Sequence, residues 1–197
     1  MMQLLVSDTS PYARKCRILI RELHLSDQVE ERDAHPFENG ELLLKANPLG
    51  RVPCLIMDDG RALTESGLIA QWLNQNAANP WIQDWDDRRL ESFASGLLDL
   101  AVGRRIEMVR DSEIYSEYWI NRRQDGILRT LDQLESEFRG TDLQLSFAQL
   151  SLAVGLDYLD FRYPEASWRT GRPALADVFG FWCERASFLE TAAPSNA

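Results

Sequence analysis

The chain has little with which to build a metal centre, a disulfide framework or a membrane span. Its 197 residues include three cysteines and two histidines. Cys16, Cys54 and Cys183 are odd in number and match no metal-ligand spacing. The histidines stand beside no carboxylate cluster, so no metal is expected. No stretch is long and apolar enough to cross a bilayer. Positive charge is short as well: 21 Lys and Arg face 31 Asp and Glu, a net charge of −10. That balance excludes nucleic acid and anionic membrane surfaces as principal partners, and an anionic ligand must be drawn by local positive groups. Met1-Met2-Gln3-Leu4-Leu5-Val6-Ser7-Asp8 lacks the basic flank and long apolar core of a secretory signal, and there is no repeat or low-complexity tract. These absences together lead us to expect a cytoplasmic location in which the thiols stay reduced.

What is present is more specific. Ser10-Pro11-Tyr12-Ala13-Arg14-Lys15 follows a short apolar strand (Leu4, Leu5, Val6) and opens a helix. Ser10 has N-cap chemistry, and Pro11 at the first helical position loses no hydrogen bond. Ala13, Cys16, Leu19, Ile20 and Leu23 recur at helical spacing and predict a buried face. A hydroxyl both donates and accepts, so Ser10 can cap the helix and still donate to a thiolate beyond it, where the helix dipole adds stabilisation. A plain cap would show the same residues.

Val52-Pro53 opens the apolar run Cys54-Leu55-Ile56-Met57, which reads as a buried strand with proline at its first residue. Cys54 borders that proline and is the one thiol to watch; inert packing is the default reading of all three. Thr64-Glu65-Ser66 precedes Leu68, Ile69, Trp72 and Leu73, a second helical face. A second helix N-terminus with amides and a hydroxyl suits a ligand carboxylate, and Glu65 suits an ammonium. Read by themselves, Glu65 and Ser66 simply cap that helix.

In this order and spacing these residues resemble the glutathione transferase superfamily, almost end to end. Asn47-Pro48-Leu49-Gly50-Arg51-Val52-Pro53 and Thr64-Glu65-Ser66 are the most specific landmarks. The resemblance implies an α/β thioredoxin-like domain over residues 1–77, a linker near 78–86 and an all-α helical-bundle domain over 87–197. It implies a cis Val52–Pro53 bond, with the Val52 backbone pairing with the cysteinyl part of glutathione. Glu65 and Ser66 would hold the γ-glutamyl end, and Ser10 would hydrogen-bond the sulfur, with Thr9 a possible substitute. Ser10-Pro11-Tyr12-Ala13 stands where thioredoxin-like enzymes carry Cys-Pro-Tyr-Cys; lacking both cysteines, it argues against dithiol chemistry and for a serine-type transferase. His35, Lys45 and Arg51 lie where family members place a contact for the glycyl carboxylate. Asp99 stands where an aspartate reaches across a homodimer to the γ-glutamyl ammonium; an exposed helical acid is the plain alternative. Tyr12, Arg104 and Arg105 are placed to line the pocket for a small hydrophobic electrophile.

The second half adds helical faces at Leu90, Phe93, Leu97 and Ala101, at Ile127, Leu131, Leu134 and Phe138, and at Phe147, Leu150, Val154, Tyr158 and Phe161. Ser146 to Gln149 reads as a capping box, with Leu145 and Leu150 placed as a staple. Ser-Pro-Tyr-x-Arg-Lys, Asp157-Tyr158-Leu159-Asp160-Phe161-Arg162 and the final helix and tail resemble a small bacterial subgroup. The expected function is attack of a glutathione thiolate, glutathione being co-substrate, on an electrophilic carbon. The alternatives are a non-catalytic homologue that binds ligands or proteins, and a glutathione-dependent isomerase of a small unsaturated acid.

Overall fold

A computed structural model describes residues 1–81 and 83–194. The chain divides into two compact units, Met1–Trp81 with Arg185–Ala197, and Ile82–Glu184. The first holds a mixed four-stranded sheet. Strands β1 (Met2–Val6), β2 (Val29–Asp33), β3 (Cys54–Ile56) and β4 (Ala62–Thr64) lie in the order β2-β1-β3-β4. β1 runs parallel to β2 and antiparallel to β3, and β3 is antiparallel to β4. Helices α1 (Pro11–Glu22) and α2 (Glu41–Ala46) connect β1 to β2 and β2 to β3, α3 (Ser66–Gln75) follows β4, and α8 (Ala186–Leu189) packs on α1. The second unit is built from α4 (Trp85–Met108), α5 (Glu117–Phe138), α6 (Phe147–Arg162) and α7 (Pro173–Cys183). This is the fold class that the resemblance implies, a thioredoxin-like α/β part and an all-α part.

Local chemistry accounts for most of these elements. β1 is buried on both faces, which is why Leu4, Leu5 and Val6 form an unbroken apolar run. The five positions read as the inner face of α1 are all buried. α6 is buried along nearly its whole length as the central helix of its unit, and accordingly reads apolar all round. Gly126 of α5 permits that helix's close approach to α4, since a Cβ there would stand 3.0 Å from the Leu100 side chain.

Three expectations for helical detail are corrected. Phe93 and Leu68 are exposed, because α4 buries the face of Ala94, Leu97, Leu98 and Ala101, and α3 that of Ile69, Ala70 and Leu73. Ser146 caps α6 as expected, accepting from the Gln149 amide at 3.2 Å. The Gln149 side chain, however, binds the Gln144 amide (3.2 Å) and the Asp142 carbonyl (2.8 Å). Asp87 of α4 accepts instead from the Ala148 amide at the same helix start, at 3.1 Å. Ile82, inside the expected linker, and residues 195–197 lie outside the described residues. On its near side Asn74 pins Trp81, accepting from the Trp81 amide at 2.7 Å and donating to the Trp81 carbonyl at 3.0 Å.

Within the first unit, half-buried carboxylates fasten α1. Glu22 accepts two bonds from Arg185, at 2.9 and 2.6 Å, and one from the Ser187 hydroxyl. Burial pushes the Glu22 carboxyl up, but those bonds and the Arg185 charge outweigh it and hold its pKa below the ordinary value. Glu31, bonded to Arg17 and Arg21, is lowered by the same balance. A carboxyl whose folded pKa is depressed contributes stability that is complete above its unfolded pKa and is lost as pH falls through the folded one. Thermal stability should therefore drop as pH falls below about 4.3. Glu22→Gln should remove part of that acid dependence and lower Tm at neutral pH by about 5 °C. An unchanged acid slope in the variant would refute the assignment.

Candidate functional site

Sheet register decides where the landmarks meet. Leu5 at the end of β1 pairs with Cys54 at the start of β3, and Cys54 pairs with Thr64 at the end of β4. Val6 pairs with Asp33 at the end of β2. The segments carrying Ser10, His35, Val52-Pro53 and Glu65-Ser66 therefore all leave the sheet at one end. The N-termini of α1 and α3 both open there, and a hydrogen bond from Cys16 Sγ, midway along α1, to the Ser66 carbonyl (3.7 Å) ties α1 to the start of α3. Two helix N-termini at one place create a local positive field in a chain that is negative as a whole.

At the start of α1, Ser10 is half-buried and extended (φ −81°, ψ 115°), and its Oγ accepts from the Ala13 amide at 3.2 Å. Its own amide donates to the Ser7 carbonyl at 2.9 Å, and its carbonyl accepts from Arg14 at 3.0 Å. The oxygen is thus spent as a cap acceptor while its proton remains available to an acceptor outside the helix. Thr9 and Tyr12 are half-buried beside it.

The Val52–Pro53 bond is cis, as the resemblance implies. Both residues are buried. The loop before them is shaped by a side chain that the sequence reading gave no role. Asn47, buried, accepts from the Leu49 amide at 3.1 Å and donates to the Arg51 carbonyl at 2.8 Å. Gly50 turns the chain with φ 62°. The signal for this was the Asn-Pro-x-Gly turn itself. Arg51 has its carbonyl held inward and its side chain exposed.

Glu65 adopts φ 77° and ψ 124°, a region that L-residues rarely occupy. From there its carboxylate folds over the start of α3 and accepts from the Gly67 amide (3.1 Å) and the Leu68 amide (3.2 Å). The Ser66 hydroxyl donates to it at 3.3 Å. A carboxylate has about four lone-pair sites, so this cap leaves capacity for an ammonium. Cys54 is sealed in the core and burial pushes its thiol up to about 11, which leaves it protonated at neutral pH.

The other expected residues fall on separate elements. His35 is half-buried, and its Nδ1 accepts from the Phe37 amide at 3.4 Å, so its Nε2 is the nitrogen left to face a ligand. Lys45 is exposed in the last turn of α2. In the second unit, Asp99 is exposed on α4. Arg104 lies over the Tyr163 ring, 4.4 Å from its centroid, and the Tyr163 hydroxyl donates to the Ala101 carbonyl at 2.7 Å. A groove of about 410 Å³ on the same unit runs between α4 and α5, lined by Phe93, Leu100, Trp119, Arg122, Arg123 and Arg129 among others. Among the described residues, no three His, Cys, Asp or Glu side chains gather as a metal ion would need, and no helix is long and apolar enough to cross a membrane.

Known proteins resemble the chain throughout. The family model "Glutathione S-transferase, N-terminal domain" matches residues 4–81, and "Glutathione S-transferase, C-terminal domain" matches residues 117–180. A glutathione transferase family member from Pseudomonas fluorescens Pf-5, solved with bound glutathione, is 31% identical with a TM-score of 0.89, covering 98% of this chain and 100% of its own. A structure with bound S-(propanoic acid)-glutathione from the same source gives 32%, 0.88 and the same coverage. A glutathione S-transferase from Methylobacillus flagellatus KT with GSH bound is 29% identical, with a TM-score of 0.87 over 98% of this chain and 100% of that one. YibF of Escherichia coli K12, an uncharacterized GST-like protein, is 29% identical over 98% of this chain and 99% of its own length.

Proposed function

Because this chain belongs to the glutathione S-transferase family, we propose that it is a serine-type transferase acting on glutathione and a small electrophile. The observation that carries this reading is the sheet register Leu5–Cys54–Thr64, which opens two helix N-termini side by side. Glutathione lies across that end. The Val52 main chain pairs with its cysteinyl part, next to Pro53. Glu65 takes the γ-glutamyl ammonium, and Ser66 takes the adjoining carboxylate. Arg51 offers a charge to the glycyl carboxylate, and His35 its Nε2.

Ser10 donates to the sulfur, and the α1 amides and dipole add to it, so the thiol loses its proton to solvent near neutral pH. The thiolate then attacks an electrophilic carbon. A carbon–sulfur bond forms, and either a leaving group departs with its electron pair or an activated alkene takes up a proton. By the family resemblance, Tyr12 and Arg104 serve this second substrate, which has an apolar body. The S-(propanoic acid)-glutathione held by the Pseudomonas relative supports an adduct that also bears a carboxylate, a group Arg104 suits. The protein supplies no nucleophile of its own.

The same proposal places the chain in the bacterial subgroup marked by Ser10-Pro11-Tyr12, in the cytoplasm, with a detoxifying role. It also makes it a homodimer, in which Asp99 of a second copy reaches the ammonium. The exposed Phe93 and Trp119 along the α4–α5 groove support such a contact.

The test is a titration of reduced glutathione into the protein, with ultraviolet detection of bound thiolate across pH and sedimentation on the same samples. Binding with a thiol pKa at least about one unit below that of the free thiol, followed by turnover of an electrophile panel, is expected. Binding without a shift would turn the reading to a non-catalytic homologue, and no binding would end it. A monomer at all concentrations would remove the role of Asp99. Isomerisation of an unsaturated acid without consumption of thiol would favour the isomerase, for which Arg104 and Arg105 provide the charge.

A further inference from the structure

The C-terminal segment from Arg185 to Thr191 returns to α1 and grips it at both ends. Arg14, buried one turn inside the helix, donates from Nη2 to the Phe188 carbonyl at 3.0 Å and from Nε to Thr191 Oγ1 at 3.4 Å. Its guanidinium lies over the Phe188 ring, 4.2 Å from the centroid. Thr191 is fully buried and donates its own hydroxyl proton to the Ser187 carbonyl at 2.8 Å, which leaves its oxygen to accept from Arg14. At the far end, Glu22 receives Arg185 and Ser187, and Arg21 reaches Glu190 at 3.2 Å.

The two grips differ in what they hold. The Arg14 amide closes the first helical turn on the Ser10 carbonyl at 3.0 Å, and the neighbouring Ala13 amide sits on Ser10 Oγ. A planar guanidinium fixed by two acceptors and an aromatic ring therefore anchors the turn that carries Ser10. Glu22 lies about 18 Å from Ser10 along the helix axis. Hydrogen bonding and the helix-terminus field both fade within a few ångströms, so a small displacement of the first turn alters what a bound sulfur feels, whereas loosening of the last turn does not.

We infer that Arg14 is a positioning residue for the thiolate site: by tying the first turn of α1 to Phe188 and Thr191, it holds the Ser10 hydroxyl and the α1 amides where a glutathione sulfur needs them. The inference rests on the proposed function, in which Ser10 activates that sulfur.

The test compares Arg14→Met with Glu22→Gln in the full chain, by ultraviolet titration of bound glutathione. Each removes one fastening of the same segment, and each should lower Tm. Only Arg14→Met is expected to raise the bound thiol's pKa, by about half a unit to one unit, a three- to tenfold loss of thiolate at neutral pH. Arg14→Lys keeps the charge without the fork and should show part of that shift; it is read in place of Arg14→Met if the latter does not fold. Equal shifts in the Arg14 and Glu22 variants, no shift in either Arg14 variant, or full rescue by lysine overturns the inference. An unshifted thiol in the unaltered protein overturns both the inference and the function beneath it, and is recognised because it is seen without any substitution.

Discussion

Ser10→Ala is expected to raise the pKa of protein-bound glutathione by about one to two units and to lower kcat/KM at neutral pH by about ten- to a hundredfold. The size follows from one hydrogen bond to a charged sulfur, worth about 1.5–3 kcal/mol, and each pKa unit corresponds to about 1.4 kcal/mol. The α1 amides and dipole remain, so the shift does not erase activation. Glutathione affinity should change little at a pH where the thiol is protonated in both proteins.

The same substitution removes the cap on the Ala13 amide, at a cost of about 1 kcal/mol in stability. Ser10→Asp separates the two roles. It keeps a cap acceptor and so keeps the stability, but it places a carboxylate beside the thiolate and should raise the pKa further than alanine does. A pH–rate profile that stays in place in Ser10→Ala would transfer the sulfur contact to Thr9 or to a backbone amide.

Glu65 should yield the second large effect, and three substitutions divide it. Glu65→Gln keeps an oxygen for the Gly67 and Leu68 amides and loses only the charge, so glutathione should bind about tenfold more weakly with Tm nearly unchanged. Glu65→Ala loses charge and cap while the backbone stays at φ 77°, so binding should fall about a hundredfold and stability by about 2 kcal/mol. Glu65→Gly also loses the carboxylate but fits that backbone, and should recover about 1 kcal/mol relative to alanine without recovering affinity. Isothermal titration and thermal melts read the two quantities separately. If glutamine binds glutathione as tightly as the parent, the carboxylate serves the helix alone and the ammonium contact is wrong.

These substitutions also mark what was legible beforehand. Ser10-Pro11, Val52-Pro53 and Thr64-Glu65-Ser66 announce themselves because each obeys a local rule: a hydroxyl before a helix, a proline before a strand, a cap before an apolar face. The burial of Ala13, Cys16, Leu19, Ile20 and Leu23 is equally local, being a matter of spacing on one helix. The double use of Glu65 was only half legible. Sequence permits either a cap or an ammonium ligand, and the backbone at φ 77° is what folds the carboxylate back over α3. Phe93 misled because helical spacing marks an apolar face without saying which of several apolar positions a neighbour covers. Gln149 misled because a capping box assumes that its third residue reaches back, while Asp87 from another helix had already reached the start of α6.

The sequence by itself determined the fold class, the two kinds of domain and the identity of the landmark segments, since helix starts, strand starts and buried faces are written in residues close together in the chain. Tertiary structure alone decided the register of Leu5, Cys54 and Thr64 that brings those segments to one end of the sheet, a meeting that the resemblance implied but no local pattern fixes. It alone decided that Arg14 meets Phe188, 174 residues away. Pairing across such distances depends on which surfaces fit together once the chain has closed, and periodicity records only that a face is buried, never against what.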